Sequence, residues 1–433
     1  MAKNTLFYFK RIWEMTLALL CLPLARHPFR SRKLIVVGAW FGELYADNPK
    51  HFAEYLIEHS RLKVVWIGKP AVKAHLPSHP AISFARKGSF KAFCVLLRAG
   101  TWVCCQSVQA DLTPLPIAGN AICVNLWHGI PVKKVGAVTP KAIRRVGQSK
   151  RSLSDRIYEF VFCRLGRKSE YLLVSSDRMA DILVEGNRTR FSYRAVLPFG
   201  TPRNDFLVHN AENEVLISKL KEKYSKLLGF DPSLKLVSYL PTFRMDGGEV
   251  FSFYSLPKKR QVEIAKLLAE NDAVLVEQHH YMTYRHTPPR ASSCSVLVIP
   301  DMKPFVDTQE LLLITDVLVS DYSGAFIDFS LLKRPCIHFA YDLEHYKEAD
   351  SGMAYDIRQV AAGPIVEDAK TLVKAIEAAL SNPVFAPAPR CHELTAFENG
   401  HSCEQLLNFI ACVNSKGIQS QQTISPEKPE HHF

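Results

Sequence analysis

The chain has 433 residues, 47% of them hydrophobic and 22% charged, with a formal net charge of +12. That length exceeds one ordinary core and predicts two domains of roughly 200 residues, while the composition excludes a disordered chain. The positive charge points to an anionic partner: nucleic acid, anionic lipid or a phosphorylated substrate.

The N-terminus is strongly apolar at Leu6–Phe9 and again from Met15 to Ala25, with Lys10, Arg11 and Glu14 between. The uncharged run is about half of the ~20 residues that a spanning helix needs. Its basic flanks (Lys3, Lys10, Arg11, Arg26, Arg30, Arg32, Lys33) suit a helix lying in a membrane interface. Packing on the protein's own domain is the alternative. Residues 1–32 are therefore read as a membrane-associating apolar or amphipathic helix.

From Lys33 onward, short β-rich runs alternate with helical stretches. Strands are expected at 34–38, 63–68, 101–105, 121–126 and 171–175, with helices such as 51–60 and 90–99 between them. After 195–199 and the turn Gly200-Thr201-Pro202-Arg203, a charged helix over 211–228 leads into a second series at 235–240, 273–277, 295–299, 316–320 and 335–339. Continuous apolar strands separated by helices predict parallel sheets covered on both faces. The fold class is thus α/β, with two Rossmann-like domains, 33–199 and 200–415, facing a central cleft. Residues 416–433 are polar and read as a disordered tail. The 11 cysteines form no CxxC pair and no zinc-like spacing, which fits packed free thiols in a reducing compartment.

Four strand ends carry polar residues that a structural loop does not require. Trp127-His128-Gly129 offers a neutral imidazole as general base and a glycine that admits a ligand close to the backbone. Thr242-Phe243-Arg244 offers a guanidinium for bidentate phosphate binding. Gln278-His279-His280 offers a second imidazole. Asp321-Tyr322-Ser323-Gly324 opens an apolar helix over 325–332, whose N-terminus favours an anion. Each signal alone also fits a structural residue, a capping serine or a surface ion pair. Together, at successive strand ends, they describe a diphosphate site.

The segments WHGIPVKKVG (127–136), GTPRND (200–205), PTFR (241–244), DTQELL (307–312) and DVLVSDYSGAFIDF (316–329) resemble the CDP-glycerol glycerophosphotransferases. These are the primases and polymerases of teichoic-acid-type polymers, and the resemblance spans about residues 33 to 385. It implies a GT-B-like fold and transfer of an alditol phosphate, glycerol phosphate first and ribitol phosphate as the alternative, from a CDP-alditol to a hydroxyl group, with release of CMP. The acceptor is lipid-linked or polymeric, in teichoic-acid or capsule synthesis. His128 matches the histidine proposed as base, and His279 falls where the family has its second histidine. Thr242, Arg244, Asp321, Tyr322, Ser323 and Gly324 match segments lining the nucleotide-diphosphate site, and Asp307 and Glu310 match the acidic pair ahead of it. Gly129 reads as room for substrate, and Lys133 and Lys134 as cations on the acceptor side.

The sequence departs from the family twice. Glu277-Gln278-His279-His280 stands where the family usually has a basic residue and then His-Pro, which leaves His279 and His280 as rivals. Gly324 stands where a second serine is frequent. No DxD motif or acidic cluster suggests a metal, and no cofactor beyond the CDP-alditol is expected. The resemblance also implies a peripheral enzyme at the cytoplasmic face of a bacterial membrane. A dense basic run over 141–168 reads either as a solvated face or as a surface for anionic lipid or a polyphosphate acceptor. Self-association is a further partner class. No helix-turn-helix, zinc-finger or RNA-recognition signature supports nucleic acid. The competing readings are a nucleotide-sugar glycosyltransferase of the same architecture and a non-catalytic basic lipid-binding protein.

Overall fold

The computed structural model describes residues 12–17, 19–136, 139, 157, 170–187, 193–242, 244, 250–279, 296–298, 306–349 and 352–416. Nearly all of the basic run 141–168, together with Phe243, His280 and the tail beyond 416, lies outside the described residues.

Seven strands form the first sheet: β1 (Ser31–Val37), β2 (Lys63–Gly68), β3 (Ile82–Arg86), β4 (Ala99–Cys104), β5 (Ile122–Asn125), β6 (Glu170–Leu173) and β7 (Tyr193–Leu197). Their order is β3-β2-β1-β4-β5-β6-β7. The second sheet has β8 (Lys235–Leu240), β9 (Ala273–Glu277), β10 (Val296–Val298), β11 (Val317–Ser320), β12 (Cys336–Phe339) and β13 (Ile365–Val366), in the order β10-β9-β8-β11-β12-β13. Every ladder in both sheets is parallel. Each order reverses at a central pair, β1/β4 and β8/β11, and ligands of such sheets bind beyond the carboxyl ends of the strands there. The expected two-domain α/β architecture is therefore present.

Strands buried along their whole length, such as β4 and β5, produce the continuous apolar runs by which they are legible. Two strands escape that signal. In β3, Ser83 and Arg86 are exposed and Phe84 is half-buried along an edge of the sheet, and β13 has only two residues. Among the helices, Asn213 caps Glu214–Leu228 by accepting from Leu216 N, and Gly229 ends it with φ 84°.

The last helix, Ser402–Lys416, does not stay with the second sheet. Cys403, Leu406, Ile410 and Val413 are buried in the cluster built by β1, β2 and β5, and Phe409 meets Tyr171 of β6 at 4.8 Å. Amphipathic periodicity marks a helix with a buried face, but it does not say which sheet that face covers. At the other end of the chain, residues 12–17 and 19–20 are helical, and Ile12, Trp13, Leu19, Leu20, Leu24 and Phe29 are exposed. Among the described residues no helix is long and apolar enough to cross a membrane.

Candidate active site

Where β5 ends, the backbone is held by force of contacts. Asn125 Oδ1 accepts from Trp127 N at 2.9 Å, and buried Asn48 donates to the carbonyls of Leu126 and Trp127 at 3.1 and 3.0 Å. Trp127 takes φ 55°, a left-handed conformation that costs a bulky side chain about 1–3 kcal/mol and persists only where surrounding contacts enforce it. His128 follows, its ring stacked on Trp127 at 4.7 Å and met edge-on by Trp40 at 5.4 Å. Its Nδ1 lies 3.2 Å from the carbonyl oxygen of Cys105. A carbonyl only accepts, so in the neutral ring Nδ1 carries the hydrogen and Nε2 holds the lone pair. Burial holds the His128 pKa below the ordinary histidine value. Asp47 and the Cys105 carbonyl oppose that shift, while Arg203 and Lys133 add to it. The result is a neutral imidazole poised to accept a proton.

The loop that carries His128 is shared with the second unit. Arg203, in the connection after β7, donates from Nη1 to Asp47 Oδ1 at 3.0 Å and to His128 O at 3.4 Å. Its Nη2 pairs with Asp328 in the helix Ala325–Ser330. The backbone N–H of Arg203 donates to Asn48 Oδ1 at 3.0 Å, and Asn204 and Gln309 extend the network to the other Asp328 oxygen. Gly129 has φ 133°, and a Cβ there would stand 3.1 Å from Arg203 Nη2. Gly324 abuts the same loop from the other side, since a Cβ would lie 2.6 Å from Ile130 O. Next along the chain, Lys133 forms an antiparallel bridge with Met353, and Lys134 N donates to Gly352 O at 2.9 Å. Both expected acceptor-side lysines thus lie on a strip that spans the two units.

On the second sheet, Asp321 follows β11, and its Oδ1 accepts from Thr242 N at 2.8 Å and Thr242 Oγ1 at 2.7 Å. Arg244 Nη2 stands 3.0 Å from Asp321 Oδ2, and its Nε lies 3.0 Å from Asp342 Oδ2. The same guanidinium donates to Tyr341 Oη and Thr242 O and lies over the rings of Tyr322, Tyr341 and Tyr346. The Arg244 side chain is 2% exposed, and although burial works against its charge, Asp321 and Tyr341 hold its pKa above the ordinary value. The sequence suggests a guanidinium offered to phosphate. Instead its donors are turned inward, where they brace the Asp321 turn. Tyr322 is likewise buried, donating to Asp342 Oδ1 at 3.1 Å. Ser323 and Gly324 stay partly exposed beside the start of the next helix.

His279, one residue beyond Gln278 after β9, pairs through Nε2 with buried Glu277, whose other oxygen accepts from Phe253 N at 3.0 Å. Glu277, two residues ahead in a stretch that departs from the family pattern, therefore gives this imidazole a carboxylate neighbour. His280 lies outside the described residues. Glu310 is placed elsewhere: it accepts from Tyr224 Oη at 2.6 Å and pairs with Lys223, with Lys50 of the first unit at 3.9 Å. Asp307 caps the helix Thr308–Ile314 and pairs with Lys50 at 2.7 Å. Against the effect of burial, Lys50 and His51 hold the Asp307 carboxyl down to about 2. This pair clamps the units together, its carboxylates engaged by Lys50, Lys223, Tyr224 and the N-terminal N–H groups of its own helix. Among the described residues no group of three or more His, Cys, Asp or Glu is arranged to hold a metal.

Sequence reasoning overlooked Asp47, Asn48, Arg203 and Asp328. The signals were present as Asp47-Asn48-Pro49 at a helix start and as the polar run Arg203-Asn204-Asp205 beside a glycine turn.

A family model described as CDP-glycerol:poly(glycerophosphate) glycerophosphotransferase matches residues 21–411. The chain is 28% identical over 413 residues to a teichoic acid glycerol-phosphate transferase of Staphylococcus aureus, covering 95% of this chain and 100% of that one. It is 26% identical over 391 residues to a teichoic acid poly(glycerol phosphate) polymerase of Bacillus subtilis, covering 88% of this chain and 49% of the relative. A teichoic acid ribitol-phosphate primase of Bacillus spizizenii is 27% identical, with 88% and 92% covered. Among solved structures, the wall teichoic acid polymerase TagF superposes with a TM-score of 0.71 at 22% identity, covering 96% of this chain and 98% of that one. That likeness speaks for the fold.

Proposed function

The chain belongs to the CDP-glycerol:poly(glycerophosphate) glycerophosphotransferase family, and from that premise we propose that it moves glycerol phosphate from CDP-glycerol to a hydroxyl of a lipid-linked or polymeric acceptor. One observation carries the mechanism: His128 presents a neutral ring with Nδ1 committed to the Cys105 carbonyl. Nε2 takes the proton of the acceptor hydroxyl as its oxygen forms a bond to the phosphorus that bears glycerol. The bond from that phosphorus to the bridging oxygen breaks, and CMP leaves with the electron pair. General-base assistance of this kind contributes roughly 10²–10⁴-fold.

Phosphoryl transfer otherwise depends on position and on charge. In this reading Ser323 and the backbone at Gly324 meet the diphosphate, with His279 beside it. Thr242, Arg244, Asp321 and Tyr322 shape that turn from beneath. Gly129, Lys133 and Lys134 border the acceptor. Glycerol is favoured over ribitol because the family description and the relative that matches full length both specify glycerol phosphate.

The test is direct. Purified protein is incubated with CDP-glycerol and, separately, CDP-ribitol, each with candidate acceptors, while CMP and product mass are followed. CMP release from CDP-glycerol, reduced about 10²-fold or more in His128→Ala with the fold intact, is the expected result. Near-normal turnover by that variant would sink the role of His128, and release from CDP-ribitol alone would overturn the donor.

Peripheral association with the cytoplasmic face of a membrane belongs to the same proposal. Its support is the exposed apolar set Ile12, Trp13, Leu19, Leu20, Leu24 and Phe29 beside exposed Arg26, Arg32 and Lys33; Arg30 does not join them, since its guanidinium donates to the carbonyls of Leu96, Ala99 and Ile117. Vesicle sedimentation that ignores both lipid charge and salt would remove the electrostatic part of that reading.

A further inference from the structure

We propose that Asp47 and Arg203 form an electrostatic brace that positions His128 and makes its activity depend on contact between the two units. Asp47 and Arg203 are positioning residues here, acting through His128, and the inference rests on the reading of His128 as base.

Four observations meet at this brace. The Arg203 side chain contacts Asp47, the carbonyl of His128 and Asp328 together. The three side chains are 12%, 6% and 1% exposed for Arg203, Asp47 and Asp328, so the pairs are little weakened by solvent. Asp47 also fixes the neighbouring ring, since its Oδ2 accepts from Trp40 Nε1 at 3.1 Å and Trp40 meets the His128 imidazole edge-on. Backbone strain gathers at the same place: Trp40, Phe41, Asp47 and Trp127 all have positive φ, from 46° to 65°. Contacts that hold several unfavourable backbone conformations around one imidazole are a mark of preorganisation.

The charges have opposite effects on the ring. The groups acting on His128 are Asp47, Arg203 and Lys133, together with the Cys105 carbonyl. Asp47 favours the imidazolium that forms as the hydroxyl proton arrives, whereas Arg203 and Lys133 favour the neutral ring needed before it. Arg203 also ties the ring's loop to Asp328, so separating the units would release Asp47 and alter both position and charge at His128. A guanidinium can serve two carboxylates and a carbonyl from one plane; an ammonium, as a point charge, cannot hold the same three.

The test uses two variants and two readouts. Asp47→Asn is nearly isosteric, and removing its charge should move the His128 titration, followed by NMR of the imidazole, to lower pH. The acid limb of kcat/KM should move in the same direction. Arg203→Lys keeps the charge, so that titration should stay near its original position while kcat falls about 10²-fold, with KM for the donor changed little. A His128 titration that does not move in Asp47→Asn, or Arg203→Lys turnover within about twofold of the parent, would overturn the brace. Should Arg203→Lys fail to fold, the Asp47→Asn titration decides alone. The NMR readout needs no substrate: if the parent releases no CMP from CDP-glycerol while Asp47→Asn shifts His128 as expected, the donor reading fails and the brace stands.

Discussion

The two sides of the site use their polar groups differently. Around His128 the backbone is strained, the imidazole is partly exposed, and the surrounding charges reach across to the other unit through Arg203 and Asp328. Around Asp321 the charges close on one another: Arg244 meets Asp321 and Asp342, Tyr322 meets Asp342, and Thr242 meets Asp321. The first arrangement keeps a neutral imidazole in an unfavourable backbone setting, and the second provides a stiff floor beneath a small, partly exposed turn. A charged residue at a strand end can therefore serve the chemistry by being buried away from it.

That contrast can be broken in order of expected effect. Arg244→Ala leaves buried Asp321 and half-buried Asp342 without their cation and should cost roughly 3–5 kcal/mol of stability, read as the loss in a denaturant unfolding curve. A midpoint near that of the parent would mean that the floor is not held by this residue. Next, Gly324→Ser restores the hydroxyl frequent in the family but places a Cβ 2.6 Å from Ile130 O. It should cost about 1–3 kcal/mol through overpacking and lower turnover by pushing the His128 loop aside. Improved turnover without loss of stability would show that the two walls have room to approach.

The smallest effect concerns pH. His338 is buried, its Nδ1 lies 3.1 Å from Asp321 O, and its Nε2 accepts from Ala362 N at 3.0 Å. Burial lowers its pKa to about 4, against a smaller opposing effect from the Asp321 carbonyl. A depressed folded pKa means that this contribution is present above the unfolded value near 6.5 and is lost as pH falls through about 4. Stability should therefore decline on acidification across that window, and His338→Gln should flatten the decline. Identical slopes in the two proteins would refute a role for His338, since His51, also lowered to about 4 by burial, titrates in both.

Much of this was legible in the residues. Apolar runs such as Lys235–Leu240 and Ala273–Glu277 match β8 and β9 residue for residue, because a strand buried on both faces must be apolar throughout. The strand-end histidines were visible for the converse reason, since a polar residue placed just after such a run stands out. What was illegible depends on partners far away in sequence. Nothing local distinguishes the inward Arg244 from a phosphate-facing one; Asp342, 98 residues on, decides it. Glu310 resembled a donor-site acid until Tyr224 and Lys50 claimed it. Arg203 lay within a noted motif without a role, because its partners at 47, 128 and 328 come from three separate segments.

The returning C-terminal helix has a mechanical consequence. The chain passes between the units at Gly200–Asp205 and again just ahead of Ser402, and the two passages are sewn together. Glu398 accepts from Thr201 N and Oγ1 at 3.0 and 2.8 Å, while the Asp205 carboxylate accepts from Ser402 N and Cys403 N at 2.9 and 2.8 Å. Two adjacent straps, together with the Lys50–Asp307 pair, limit how far the units can part along this edge. Arg203 is part of one strap, so the side chain that donates to the His128 carbonyl is anchored at the seam where the units are sewn together.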